Sequence, residues 1–594
     1  MEKAKGVTWD LSMLYNSDRD PRLFDDLEKA QAQAREFQQK FHGKIATEDC
    51  DIHRLMEALK EYEKIWATIY RPYAMANLLF AGDGRSDYYK DLLARVQDAI
   101  TRVENAVLFF DLEIQKIPSN KIQEFFNSGN LGHYRHYIEA QRLFTPYMLS
   151  EKEEQIINQK DLVGKTAFVN LFDEFTATFE WELEIDGEKK KLTASEVRKL
   201  LRHPDARIRE MARVAHDRKY GENALIFTNI FGNLIKNHSL EMEMRGYEHP
   251  MQPSHLRNQV SDEIVKTMME VTVDNYSIVQ EYYRLKAKLL NVPKLRGSDL
   301  YAPVTKTDPV IPFEEGKTLV LESITAFSPE LGDILKQAFD HKWIDAEVRP
   351  GKRGGAFCYG ILPELPPYVL LNYVDNLDSV YTMAHELGHA LHDVLAGRKQ
   401  SLLTYHPPLV LAETASVFAE MLLTRKLLAE EKDREKRLSI LAMKLEDFFG
   451  TISRQTMYTL FELQVHLEGA KRRLSSDDFC KLWLKYRDQM YGDVVEFLPD
   501  EKWFWAVIPH FIHSRFYCYS YTFGALLVLA LFNKYEEQGE TFVPRYIELL
   551  SAGGSDWPAD LIAKLGMDIS KPEFWQGGFK VIRSLLEEFR ELIV

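Results

Sequence analysis

A chain of 594 residues exceeds what one hydrophobic core supports, so two or more lobes are expected. Hydrophobic residues at 45% and charged residues at 28% describe a folded globular protein and exclude a disordered one. A formal net charge of −15 argues against nucleic acid or an anionic membrane as the main partner.

From the N-terminus, residues 1–10 carry no apolar run, so no secretory signal is read there. Residues 51–69 and 86–110 place apolar side chains at three- and four-residue spacing and predict helices. Residues 176–192 break the pattern: Phe179, Trp181, Leu183 and Ile185 alternate with polar residues before Asp186-Gly187, as in a hairpin. Thr193-Ala194-Ser195-Glu196 then reads as a helix start. A boundary is expected there, with residues 1–195 as an N-terminal helical lobe and 196–594 as the part that holds the chemistry. Residues 261–290 again read as helix.

Two short strands are predicted at 354–360 and 368–373, the second bounded by Pro367 and Asp375. A strand at this place either packs the lobe or offers its edge to an extended peptide. The next helix spans 380–395, with Asp375 or Asp378 as its cap. Late in the chain, the apolar run 523–532 is far shorter than the roughly 20 residues of a membrane span and reads as a buried helix. The four cysteines, Cys50, Cys358, Cys480 and Cys518, form no CxxC pair. They exclude a cysteine-ligated zinc and fit a reducing compartment, so the cytoplasm is the expected location.

The chemistry sits on His385-Glu386-Leu387-Gly388-His389. Two histidines four residues apart share one helix face, so both imidazoles can reach one ion. Glu386 is placed to take a proton from an attacking water rather than to bind the ion. The alternative, two solvated histidines on a surface helix, conflicts with Met383, Ala384, Leu387, Ala390, Leu391, Val394 and Leu395, which surround the motif. A catalytic zinc needs a third protein ligand. Glu413, on an expected return helix, is assigned that role. Glu420 lies seven residues on and on the same face of such a helix. It either accepts a hydrogen bond from a ligand imidazole or forms a structural ion pair.

His385 to His392 and Ala412 to Glu420, read with Gly351 to Cys358, Leu295 to Pro303 and Tyr282 to Lys288, resemble the M3 metallopeptidases, within them the oligoendopeptidase F branch. The resemblance implies a mainly α, two-lobed helical metallopeptidase that encloses a deep channel, with a small β-sheet beside the HExxH helix. It implies one zinc ion per chain and internal cleavage of short unstructured peptides. A related zinc carboxypeptidase or dipeptidase is the alternative. A non-catalytic peptide-binding protein with a structural zinc would have no use for Glu386. The oligomeric state stays open.

The family pattern also has a late histidine followed by tyrosines. Here residues 508–521 hold His510, His513, Tyr517, Tyr519 and Tyr521. On a continuous helix, positions seven and eleven apart share a face, which groups His510, Tyr517 and Tyr521 and sends Tyr519 to the other side. The expectation is that His510 and one or both of Tyr517 and Tyr521 donate to the developing oxyanion, with Tyr519 as packing.

Overall fold

The computed structural model describes residues 4–185, 187–305 and 309–593. Helices dominate and strands are few and short. Residues 51–69 fall within helix Ile52–Gly82, whose buried stripe includes Leu55, Leu59, Tyr62, Ile65 and Ile69. Asp51 caps it by accepting from the Arg54 N–H. This helix packs against Pro21–Phe41 and Asp87–Lys116, which also pack against each other. The stretch 261–290 is two helices, Asp262–Asp274 and Tyr276–Leu289. They break at Asn275, whose side chain bonds back to the Val271 carbonyl.

Two compact units make up the chain. The first comprises Met1–Pro146, Asp308–Glu430 and Lys534–Asp568, and the second comprises Tyr147–Thr307, Glu431–Asn533 and Ile569–Val594. Neither is continuous in sequence, and residue 195 falls inside the second.

In the second unit, β1 (Trp181–Ile185) pairs antiparallel with β2 (Glu188–Leu192). Trp181, Leu183 and Ile185 are buried while the intervening glutamates are exposed, as alternation requires. The hairpin starts later than expected, because Thr176 and Ala177 end helix Lys165–Ala177; Asp186 lies outside the described residues. Thr193 and Glu196 form a reciprocal capping box on the next helix. Two further short strands, β3 (Leu295–Arg296) and β7 (Val495–Glu496), pair parallel in the same unit.

The first unit holds a three-stranded sheet in the order β4 (Ile344–Asp345), β6 (Tyr368–Leu370), β5 (Phe357–Tyr359). The outer strand β5 is antiparallel to β6, with Cys358 opposite Val369. Helix Leu377–Gly397 packs against β5 and β6, so the small sheet lies beside the HExxH helix. Its cap is neither Asp375 nor Asp378. Asn376 accepts from the Ser379 N–H at 2.9 Å. Asp375 has φ +53° and turns the chain into the helix, and Asp378 lies within the first turn, where its charge complements the helix dipole.

The apolar run 523–532 lies within helix Cys518–Gln538 and is buried throughout. Among the described residues, no helix is long and apolar enough to cross a membrane.

Candidate active site

The helix Leu377–Gly397 buries Met383, Ala384, Leu387, Ala390, Leu391 and Leu395, which fixes its rotation. That rotation brings His385 and His389 together on one face, with their Nε2 atoms 3.2 Å apart. Glu413 Oε2 lies 3.4 Å from His385 Nε2 and 3.5 Å from His389 Nε2. A tetrahedral ion with bonds of 2.0–2.1 Å has ligand-to-ligand edges of roughly 3.3–3.4 Å. The three donor atoms already form such a face, so the residues fit a zinc ion. His385 Nδ1 donates to Glu420 Oε1 at 2.6 Å, which turns Nε2 toward the other two donors, where a bound cation would take the place of the Nε2 proton.

Glu413 does not lie on one helix with Glu420. A four-residue helix, Leu409–Ala412, ends at Glu413, and helix Ser416–Glu430 carries Glu420. Glu413 occupies the break between them. Ser416 Oγ donates to Glu413 Oε2 at 2.6 Å and holds the carboxylate toward the histidines. Sequence reading missed this role of Ser416. It also missed the need for Gly388. A Cβ there would lie 2.5 Å from Ser416 Cα and 2.6 Å from the Ala415 carbonyl oxygen. Only glycine lets the Glu413–Ser416 segment approach the motif helix so closely. Gly388→Ala should push Glu413 away from the histidines. The expected result is a folded protein with weakened zinc affinity, read by metal analysis after dialysis; wild-type zinc retention would show that the segment yields without cost.

Glu386 is 8% exposed, on the side of the helix that meets β5. Burial and the Glu413 charge raise its pKa to about 7, against the charge of His385 and the backbone N–H of Cys358, which favour the carboxylate. The strand therefore holds the base through its main chain, a contact the sequence did not announce. Burial opposes the charged form of His385, but the Glu420 hydrogen bond and the charges of Glu420, Glu413 and Glu386 outweigh it and lift its pKa to about 9. Burial lowers His389 to about 4, so that ring is neutral and ready to donate its lone pair.

The late segment is not one helix. Helix His510–His513 follows Pro509, and the next helix begins only at Cys518. Between them Phe516 adopts φ +54°. The grouping nevertheless arises, through the turn rather than through helical phase. His510 Nε2 and the Tyr521 hydroxyl are 3.2 Å apart, the rings of His510 and Tyr517 stack at 5.7 Å, and Tyr517 meets Tyr521 edge-on at 5.2 Å. Burial and the charge of His513 lower the pKa of His510, so its ring is neutral near pH 7. Tyr519 is fully buried elsewhere, where its hydroxyl accepts from Asn258 Nδ2 at 2.6 Å. His513 pairs with Asp173 at 2.8 Å.

A second His–Asp group was not marked by the sequence. His249 and His255 lie 2.6 and 2.5 Å from the two oxygens of Asp262, so both carboxylate oxygens are already engaged.

The chain matches the model of peptidase family M3 over residues 199–581 and the Oligopeptidase F model over residues 113–181. It is 27% identical over 587 residues to the oligopeptidase PepF of Bacillus subtilis, covering 96% of this chain and 87% of that protein. An oligoendopeptidase F homolog of Lactococcus lactis is 25% identical over 100% of this chain and 98% of its own. The fold superposes on the crystal structure of oligoendopeptidase-F from Enterococcus faecium with a TM-score of 0.72 at 25% identity, over 98% of this chain and 99% of that one. A crystal structure from Chlamydophila abortus superposes with a TM-score of 0.87 at 23% identity, covering 99% and 98% of the two chains, and shows the shared fold. The family match spans most of the chain and includes the His385–Glu420 constellation: this protein belongs to peptidase family M3, within its oligoendopeptidase F branch.

Proposed function

We propose that the protein is a zinc-dependent endopeptidase that hydrolyses internal bonds of short, unstructured peptides in the cytoplasm. The observation that supports this most is the face of three donors, His385, His389 and Glu413, with the buried carboxyl of Glu386 on the same helix. One zinc ion per chain bound there would polarise the scissile carbonyl and lower the pKa of its water toward neutrality. The chain's own residues do the rest. Glu420 fixes the His385 ring, and Ser416 aims Glu413. Glu386 accepts the proton of the attacking water and passes it to the leaving amine. The outer strand β5 offers backbone groups to an extended peptide.

For His510, Tyr517 and Tyr521 we propose the role of donors to the oxyanion. The support is their mutual contact and the family resemblance, together with the separate burial of Tyr519. Removal of one oxyanion donor costs about 2.7–4 kcal/mol, or about 100- to 1,000-fold in kcat. Tyr517→Phe or Tyr521→Phe, or both, should show that loss with zinc content and KM unchanged, while Tyr519→Phe stays near wild-type kcat. A large kcat loss confined to Tyr519→Phe would reverse the assignment.

A fluorogenic peptide blocked at both ends tests the endopeptidase reading. Internal cleavage is the expected result. Hydrolysis only of peptides with a free carboxyl terminus would move the protein to the carboxypeptidase alternative.

A further inference from the structure

The turn between His510 and Tyr521 combines two features that fold stability alone disfavours. Phe516 is a bulky residue with φ +54°, a region that favours glycine. Beneath it lies Glu462, on helix Arg454–Gly469, with none of its surface exposed. Its Oε1 accepts the Phe516 N–H at 2.8 Å, and its Oε2 is buried without a partner. One turn along the same helix, His466 is also buried with Nε2 unpartnered, and its ring meets the Phe516 ring at 4.8 Å. The Phe516 carbonyl accepts from Ser254 Oγ at 2.9 Å. The strained residue is thus held at its N–H, at its carbonyl and at its ring. A buried carboxyl is a costly way to satisfy one backbone N–H. Strain and imperfectly paired buried groups concentrate at functional sites.

We infer that Glu462 is a positioning residue for catalysis: through the Phe516 N–H it holds the turn that sets His510 and Tyr517 against Tyr521. The inference rests on the donor role proposed for that cluster. Burial raises the Glu462 pKa to about 8, so the group is mostly neutral at pH 7 and glutamine is its close isostere.

Glu462→Leu removes the acceptor and Glu462→Gln keeps it. With the blocked peptide, Glu462→Leu should lower kcat about 10- to 100-fold, the scale of a small misplacement of reacting groups. KM and zinc content should hold, and hydrogen exchange across residues 510–521 should accelerate. Glu462→Gln should restore kcat. Added to Tyr521→Phe, Glu462→Leu should cost little more, because both act through one cluster. If Glu462→Leu does not fold, Ser254→Ala decides by removing the other anchor of Phe516. A lower kcat at unchanged KM supports the inference, and an unchanged kcat overturns it. Full activity of Glu462→Leu beside impaired tyrosine variants overturns the inference alone, as does a glutamine variant as impaired as the leucine one. Full activity of both Tyr517→Phe and Tyr521→Phe sinks the donor reading, and this inference with it.

Discussion

Glu386→Gln is expected to bind one zinc ion per chain as the native protein does and to lose about 100- to 10,000-fold in kcat, the range that general-base catalysis contributes. The side chain is buried at 8% exposure and lies outside the donor face, so an amide of the same size disturbs neither the helix nor the ligands. What it removes is the proposed proton acceptor. The free carboxyl is pushed up to about 7 by burial and by Glu413, which makes it a far better base than an exposed glutamate. A bound cation pulls that value down again, so kcat/KM should fall on the acid side below pH 7, as protonation of Glu386 removes the acceptor. In the glutamine variant this acid limb should vanish from the residual activity. Turnover near the native rate with full zinc content would remove Glu386 from the mechanism.

Glu413→Ala is expected to cost more zinc affinity than any other single carboxylate change. It deletes one corner of the donor face, while His385 and His389 stay in place on their buried helix. Glu420→Ala leaves all three donors and frees only the His385 ring to rotate, so its loss should stay near the 10- to 100-fold typical of partners that orient a ligand. Metal analysis of the two variants after equal dialysis separates the roles. Zinc lost from Glu420→Ala but kept by Glu413→Ala would invert the assignment.

The sequence made the site legible where spacing along one helix determines geometry. His385 and His389 lie one turn apart whatever surrounds them, and the apolar residues between them announce burial. Glu413 was legible as a residue but not as a conformation: the break at 413–415 depends on Ser416 and on the room left by Gly388, neither of which periodicity reports. The late cluster is the reverse case. The grouping of His510 with Tyr517 and Tyr521 is read on the condition of a continuous helix through 510–521, and nothing local forbids one between Ser514 and Tyr517. Glu462 and Ser254, distant in sequence, hold the turn open at Phe516, and the cluster forms around that turn. The discontinuous units were illegible for the same reason, since they are defined by contacts between segments hundreds of residues apart. Short-range choices such as Asn376 over Asp375 as the helix cap turned on one residue, because Asp375 is used for a left-handed turn instead.

The most direct test of the account is a zinc titration of metal-stripped protein, followed by hydrolysis of a quenched peptide blocked at both ends. The predicted result is no cleavage without metal, a linear rise in rate to one equivalent of zinc per chain and then a plateau, with His385→Ala flat over the same range. Cleavage by the stripped protein, or a His385→Ala protein that responds to zinc as the native one does, would contradict a catalytic zinc held by His385, His389 and Glu413.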